Sequence, residues 1–216
     1  MLCYSRAIKP ESDGEKSVGK GYGRGFAMAA ALVVAAPLAA QGYSDSYNFL
    51  KAVKERDGTK VTGLVSQPGS IVVNTRDRTN GEGALHLLVR DRDYSWLSFM
   101  LAKGARVDLQ NNRGETPLIL AAQIGWAEGA ELLLSRRAVV DLPNGRGETP
   151  LILAVQRRDL PMVRLLLSKG ANPARTDNAA GYSAIDYAKQ DARAAAILKL
   201  LEAKPAKARP VAGPKL

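Results

Sequence analysis

The sequence predicts an all-α solenoid of about five stacked helix-turn-helix repeats, the first and last being divergent caps. Three observations carry this. Arg113-Gly-Glu-Thr-Pro-Leu-Ile-Leu-Ala121 recurs as Arg146-Gly-Glu-Thr-Pro-Leu-Ile-Leu-Ala154, a nine-residue identity at an offset of 33. The interval extends beyond that block. Gly81 and Glu82 precede Gly114 and Glu115 by 33, Leu85 is in step with Leu118 and Leu151, and Lys103-Gly-Ala105, Arg136-Arg-Ala138 and Lys169-Gly-Ala171 keep the same spacing. Finally, hydrophobic residues are 46% of the chain but aromatics only 6%, so the core must be mostly Leu, Ala, Val and Ile.

The first 40 residues read as an address. Phe26 to Ala36 is a run of eleven uncharged residues, with Lys20 and Arg24 upstream and Pro-Leu-Ala-Ala40 before a polar stretch from Gln41. A basic flank, a short apolar segment and a small-residue exit predict a secretory signal peptide. The run is too short to span a bilayer, which needs about 20 residues. Cleavage is expected after Ala40, with Gly42 as the alternative, and translation starting near Val18 would explain the long stretch before Lys20. The competing readings of 26–40 are a buried helix and an uncleaved anchor. No cysteine lies near the exit, which excludes a lipid anchor there. Removing 1–40 takes away five basic and three acidic residues, so the net charge falls from +10 to +8. Cys3 leaves with the leader, and a thiol-free mature chain suits an oxidising compartment.

Each repeat then justifies itself. Thr116-Pro117 opens a helix, because Thr caps it and Pro is tolerated in the first turn, where its missing N–H costs nothing. Leu118, Ala121 and Ala122 share one face at helical spacing. A second apolar run, Ala130 to Leu134, follows, and Lys169-Gly170 marks the equivalent helix end. An extended turn such as Ala105-Arg-Val-Asp-Leu109 hands over to the next unit. These landmarks set an N-cap repeat at 46–77, repeats at 78–110, 111–143 and 144–177, and a C-cap repeat at 178–203, all within a 41–203 domain. Gly181 lies 34 after Gly147, so one residue is inserted in the last unit. Lys51, Lys54, Glu55 and Arg56 suit a solvent-facing N-cap, and Lys199 and Glu202 a solvent-facing C-cap. Residues 204–216, with three prolines and four cations, are expected to be a disordered basic tail.

Thr116-Pro-Leu-Ile-Leu-Ala121, Thr149-Pro-Leu-Ile-Leu-Ala154, Gly83-Ala-Leu-His-Leu-Leu88 and Leu166-Leu-Ser-Lys-Gly-Ala-Asn-Pro173 together resemble the ankyrin repeat family. The resemblance covers about residues 46–203. It implies an ankyrin solenoid with β-turn fingers and a concave face that binds other proteins. On this chain the implied partner-binding positions are Asn80 and Glu82, Asn112, Arg113 and Glu115, Arg146 and Glu148, and Tyr182 on the fingers. At the ends of the first helices they are Arg90, Gln123, Ile124, Gln156 and Arg157. The resemblance also implies that His86 holds adjacent turns together.

The same residues argue against chemistry. His86 is the single histidine and Cys3 the single cysteine, so no metal cluster, thiol nucleophile or His-dependent catalysis is expected. No Gly-rich phosphate loop has the strand-then-helix context it needs, and no cofactor is expected. Glu82, Glu115 and Glu148 recur at the period as a column of solvated carboxylates, on the order of 10 Å apart. Each is expected to pair with the neighbouring repeat's Arg113 or Arg146 rather than to form a catalytic dyad. Trp96 is expected in the core between repeats and Trp126 over an inter-repeat seam. Arg136-Arg137 and Arg157-Arg158 are interleaved with Glu131, Asp141 and Asp159, so nucleic-acid binding is not expected. The expected function is non-enzymatic binding of an unknown protein in a bacterial periplasm, by a monomer without an integral membrane segment once the leader is removed. The alternatives are a secreted effector that binds a host protein and an envelope polymer-binding protein that uses its basic tail.

Overall fold

Thr and Asp side chains start five of the ten α-helices among the described residues. Thr116 Oγ1 accepts from Ile119 N at 3.2 Å and Thr149 Oγ1 from Ile152 N at 3.3 Å, with Pro117 and Pro150 in the first turns, as predicted. Asp57, Asp93 and Asp159 cap second helices in the same way, at 2.9–3.0 Å. The computed structural model describes residues 38–67 and 70–203, with side chains from residue 45. The expected tail at 204–216 and nearly all of the expected leader lie outside these residues. Leu38 to Ala40 form the start of the first helix.

Five helix pairs follow one another. They are α1 Leu38–Glu55 with α2 Gly58–Val65, α3 Ala84–Arg90 with α4 Tyr94–Ala102, α5 Pro117–Ile124 with α6 Ala127–Ser135, α7 Pro150–Gln156 with α8 Leu160–Ser168, and α9 Ala184–Gln190 with α10 Ala195–Glu202. There is no β-strand among the described residues, so the all-α solenoid stands. First helices stack in the order α1, α3, α5, α7, α9, and α4, α6, α8 and α10 form the second layer.

Leu118, Ala121 and Ala122 are fully buried, yet α5 is not amphipathic: every residue from Pro117 to Ala122 is buried. A first helix in mid-array packs on helices to either side and on its own partner, leaving no wet face. The caps differ as expected: Lys51, Lys54 and Glu55 are exposed over buried Phe49 and Val53, and Lys199 and Glu202 are exposed over Ile197 and Leu201. Arg56 departs from the expectation. It is half-buried and turned to the next repeat, where it donates to Asp93 at 2.6 Å and Asp91 at 2.8 Å.

That turn belongs to a series. The residue joining the two helices of a pair is left-handed at Arg56, Arg92, Gly125 and Arg158, with φ of 59°, 52°, 67° and 59°. Left-handed backbone costs a non-glycine residue roughly 1 kcal/mol. The arginines offset it by reaching across the seam. Arg92 donates to the carbonyl of Ile124 at 2.6 Å, at the negative end of α5, and Arg158 to Asp191 at 2.9 Å.

A second left-handed series ends α4, α6 and α8, at Gly104, Arg137 and Gly170. Arg137 (φ 66°) occupies a position its neighbours give to glycine. Arg137→Gly should therefore stabilise the protein by up to about 0.5 kcal/mol, after the extra backbone entropy of glycine is subtracted. A urea midpoint that is unchanged or lowered would refute this.

Candidate functional site

Four fingers connect the pairs. Each closes with one backbone bond at its base: Asp77 N to Glu82 O (2.8 Å), Asn111 N to Glu115 O, Asn144 N to Glu148 O and Asp177 N to Tyr182 O (each 3.0 Å). The outer two are one residue longer, and the insertion read from Gly181 lies in the last. Neighbouring fingers are stitched by Asn112 N to Asn80 O and Gly145 N to Arg113 O, both 2.9 Å, and by Asn178 N to Arg146 O at 2.8 Å.

The glutamates correct the sequence reading. Glu82, Glu115 and Glu148 are not a solvated column: they are 2%, 6% and 7% exposed. Nor does each pair with a neighbouring repeat. Arg113 Nη2 and Arg146 Nη2 lie 2.8 Å from the glutamates two residues on, Glu115 and Glu148, and Arg90 pairs with Glu82. Burial is tolerable because the finger supplies donors. Asn111 Nδ2 donates to Glu115 Oε2 at 2.8 Å, and Asn111 Oδ1 accepts from Arg113 N at 2.8 Å and Glu115 N at 3.0 Å. Gln123 Nε2 donates to Glu115 Oε1 at 3.1 Å. Asn144 repeats the pattern around Glu148. Burial alone would raise the Glu115 pKa, but hydrogen bonds from Asn111 and Gln123 and the Arg113 charge outweigh it and hold it below the usual range. The first finger lacks this set, since Asp77 opens it where Asn111 opens the next, and a carboxylate has no N–H to donate to Glu82. Glu82 Oε2 is accordingly the one buried side-chain polar atom among the described residues that lacks a hydrogen-bond partner.

His86 is fully buried. Its Nδ1 accepts from Gly83 N at 3.1 Å, so Nε2 carries the proton and donates to the Glu115 carbonyl at 2.9 Å. It joins one repeat to the next finger, as the resemblance implied. Burial holds its pKa below the ordinary value. The unfolded chain therefore takes up this proton first. The resulting stability is complete above about pH 6.5 and declines as the pH falls below it, with a limiting slope of about 1.4 kcal/mol per pH unit. His86→Ile, which places there the residue found at 119 and 152, should flatten the slope between about pH 5 and 6.5. An unaltered slope in urea titrations would exclude this role.

The other expected positions lie at or near the surface. Asn80, Arg90, Asn112, Arg113, Arg146, Gln156, Arg157 and Tyr182 are exposed, and Gln123 and Ile124 are half-buried. Tyr182 stands edge-on to Tyr187 at 5.6 Å. Trp126 is buried, its ring packed over Gly129 of its own repeat. Trp96 is not core but half-buried, edge-on to Phe99 at 5.4 Å with the Arg56 guanidinium 5.9 Å from its ring. Sequence reasoning missed Asn111 and Asn144, although their spacing of 33 was a usable signal. It also missed the arginine clasps. Among the described residues no group of three or more His, Cys, Asp or Glu could hold a metal, and no helix is long and apolar enough to cross a membrane.

Comparison with known proteins matches this architecture. A sequence model described as Ankyrin repeats (3 copies) covers residues 39–144, 85–177 and 130–208. An ankyrin repeat-containing protein of Treponema pallidum (strain Nichols) is 41% identical over 110 residues, which are 50% of this chain and 37% of that protein. The chain thus spans well under half of that relative. Repeats of this family generally mediate protein–protein interaction and are typically non-enzymatic. With stitched fingers, paired helices and the family model spanning most of its length, the chain belongs to the ankyrin repeat family.

Proposed function

We propose that this protein is exported to the periplasm and there binds a partner protein, without catalysis, through the face made by its fingers and the ends of its first helices. One observation carries the reading. The Arg113 side chain is 69% exposed, yet its Nε and Nη2 both bond the buried Glu115, at 2.9 and 2.8 Å. Arg146 does the same on Glu148. An exposed arginine already fixed by its own scaffold loses little side-chain freedom on binding, and arginine is a frequent interface anchor. Arg157 and Tyr182 extend the same surface. The basic flank, uncharged run and small-residue exit of 1–40 support export.

The test is crosslinking capture by the full chain, tagged at its C-terminus and expressed in cells that process it, followed by mass spectrometry of its N-terminus. A protein captured by the wild type and lost by Arg113→Ala/Arg146→Ala/Arg157→Ala supports the face, provided that thermal unfolding shows the variant folded. Arg157→Ala alone supplies a variant that leaves both finger glutamates paired. Identical captures would remove the face from consideration. A mature chain that still begins at the leader would remove export.

A further inference from the structure

A groove of about 530 Å³ lies between α1 and residues 75–79, which lead into the first finger. This is within the size range of built ligand sites. Its α1 wall is one side of a helix, with Tyr47, Leu50, Lys51 and Lys54 in register. Leu50 is 6% exposed and forms an apolar floor, whereas Tyr47 is 68% exposed. Across from them stand Arg76, Asp77 and Arg78. Four cations thus line the groove against one carboxylate, with Glu55 just outside it at 3.9 Å from Lys51 Nζ, so the cations stay in excess. That carboxylate is engaged within its own turn, where Asp77 Oδ1 accepts from Thr79 N at 2.8 Å and from its hydroxyl. Arg76 is held in place by the Gly81 carbonyl at 3.1 Å and Asn112 Oδ1 at 3.2 Å, both neutral acceptors.

The excess charge is local. Further along the face the finger arginines are neutralised by Glu115 and Glu148. A nucleic-acid strand needs a cationic track that follows its backbone, and the charge here stops after one finger. The chain's own tail at 204–216 carries four cations and no acid, so it is repelled. Charge complementarity leaves an anionic peptide, and the exposed tyrosine beside an apolar floor asks for one apolar side chain on it.

We propose that the groove between α1 and the first finger seats an extended acidic segment of the partner protein, its carboxylates on Lys51, Lys54 and Arg76 and one apolar side chain against Tyr47 and Leu50. The proposal rests on the protein-binding reading above and names the chemistry of one part of that face.

The experiment uses the purified full chain and a fluorescent nine-residue peptide of Asp and Glu with one central Trp. Parallel arms use the same peptide with Ala for Trp, its Lys counterpart, an oligothymidine and vesicles containing anionic phosphatidylglycerol. The acidic Trp peptide should bind, and raising the salt should weaken it. Lys51→Glu/Lys54→Glu should lose about tenfold or more in affinity, Tyr47→Ser several-fold, and Lys199→Glu, exposed on the C-terminal cap, nothing. Lys51, Lys54 and Tyr47 are exposed, so these variants leave the core intact. Unchanged affinity in Lys51→Glu/Lys54→Glu, or tighter binding of the oligothymidine or the vesicles, overturns the proposal. So does the lack of any binding by the Trp peptide. In that last case, partner capture that still depends on Arg157 means the face survives and only the groove falls. Loss of both removes the two readings together.

Discussion

Gly114→Ala should cost about 3 kcal/mol or more, whereas Gly181→Ala, the same change one array end away, should cost about 1 kcal/mol. Both glycines are left-handed, with φ of 73° and 69°, so both substitutions carry that backbone penalty. They differ in what a new Cβ would meet. At Gly114 it would lie 2.6 Å from the backbone N of Gly145, the atom that stitches this finger to the next. The two fingers must part, and a buried seam opens with them. At Gly181 nothing lies within 4 Å, because no finger follows among the described residues. Gly147 resembles Gly114, with Asn178 N at 2.6 Å. Urea unfolding of the three variants checks the ordering. Equal losses at 114 and 181 would mean that the stitch contributes nothing beyond the backbone term.

Asn111→Ala should cost about 3 kcal/mol, while Asn112→Ala, its exposed neighbour, should cost under about 1 kcal/mol. Asn111 is buried, and its amide serves three partners at once: two finger N–H groups and the Glu115 carboxylate. Truncation leaves buried donors unpaired and removes a hydrogen bond from a buried charge, each loss being about 1–3 kcal/mol. Asn112 lies on the surface, where its amide donates to the Thr79 carbonyl and accepts from Arg76, both at 3.2 Å and both open to water. A second readout separates this from simple unfolding. The Glu115 pKa should rise in Asn111→Ala, since a donor to the ionised form is gone while burial remains. An unshifted carboxylate resonance in an NMR titration of the folded variant would contradict the assignment.

The period and the helix starts were legible because they depend on residue type. Only a few side chains cap a helix, and Thr116-Pro117 and Thr149-Pro150 state the position twice. The glutamates were not legible, because a charged residue in a polar turn reads as solvated. What buries Glu115 is the convergence of Asn111, Arg113 and Gln123, four and two residues before it and eight after. That set assembles only once the finger folds back on α5. The arginine clasps were hidden for a related reason. A left-handed corner normally announces itself as glycine, and only Gly125 does so here, while Arg56, Arg92 and Arg158 hold the same shape through bonds to the following repeat. Among the face residues, exposure was legible at Arg113 and Arg157. The fixed orientation of Arg113 was not.

The stitching of the fingers by main-chain atoms leaves the tips open to rewriting. The bonds joining residues 80 to 112, 113 to 145 and 146 to 178 use only peptide N–H and carbonyl groups, which every residue except proline supplies. A tip side chain such as Asn112 can therefore change with the main-chain join kept, whereas a side chain at Gly145 would meet the Arg113 carbonyl, and the buried Asn and Glu at a finger's base cannot change. Folding instructions and recognition instructions occupy different atoms of the same loop. A library randomised at 112, with 111, 114, 115, 144, 145, 147 and 148 held fixed, should consequently keep most of its members folded while altering what they bind.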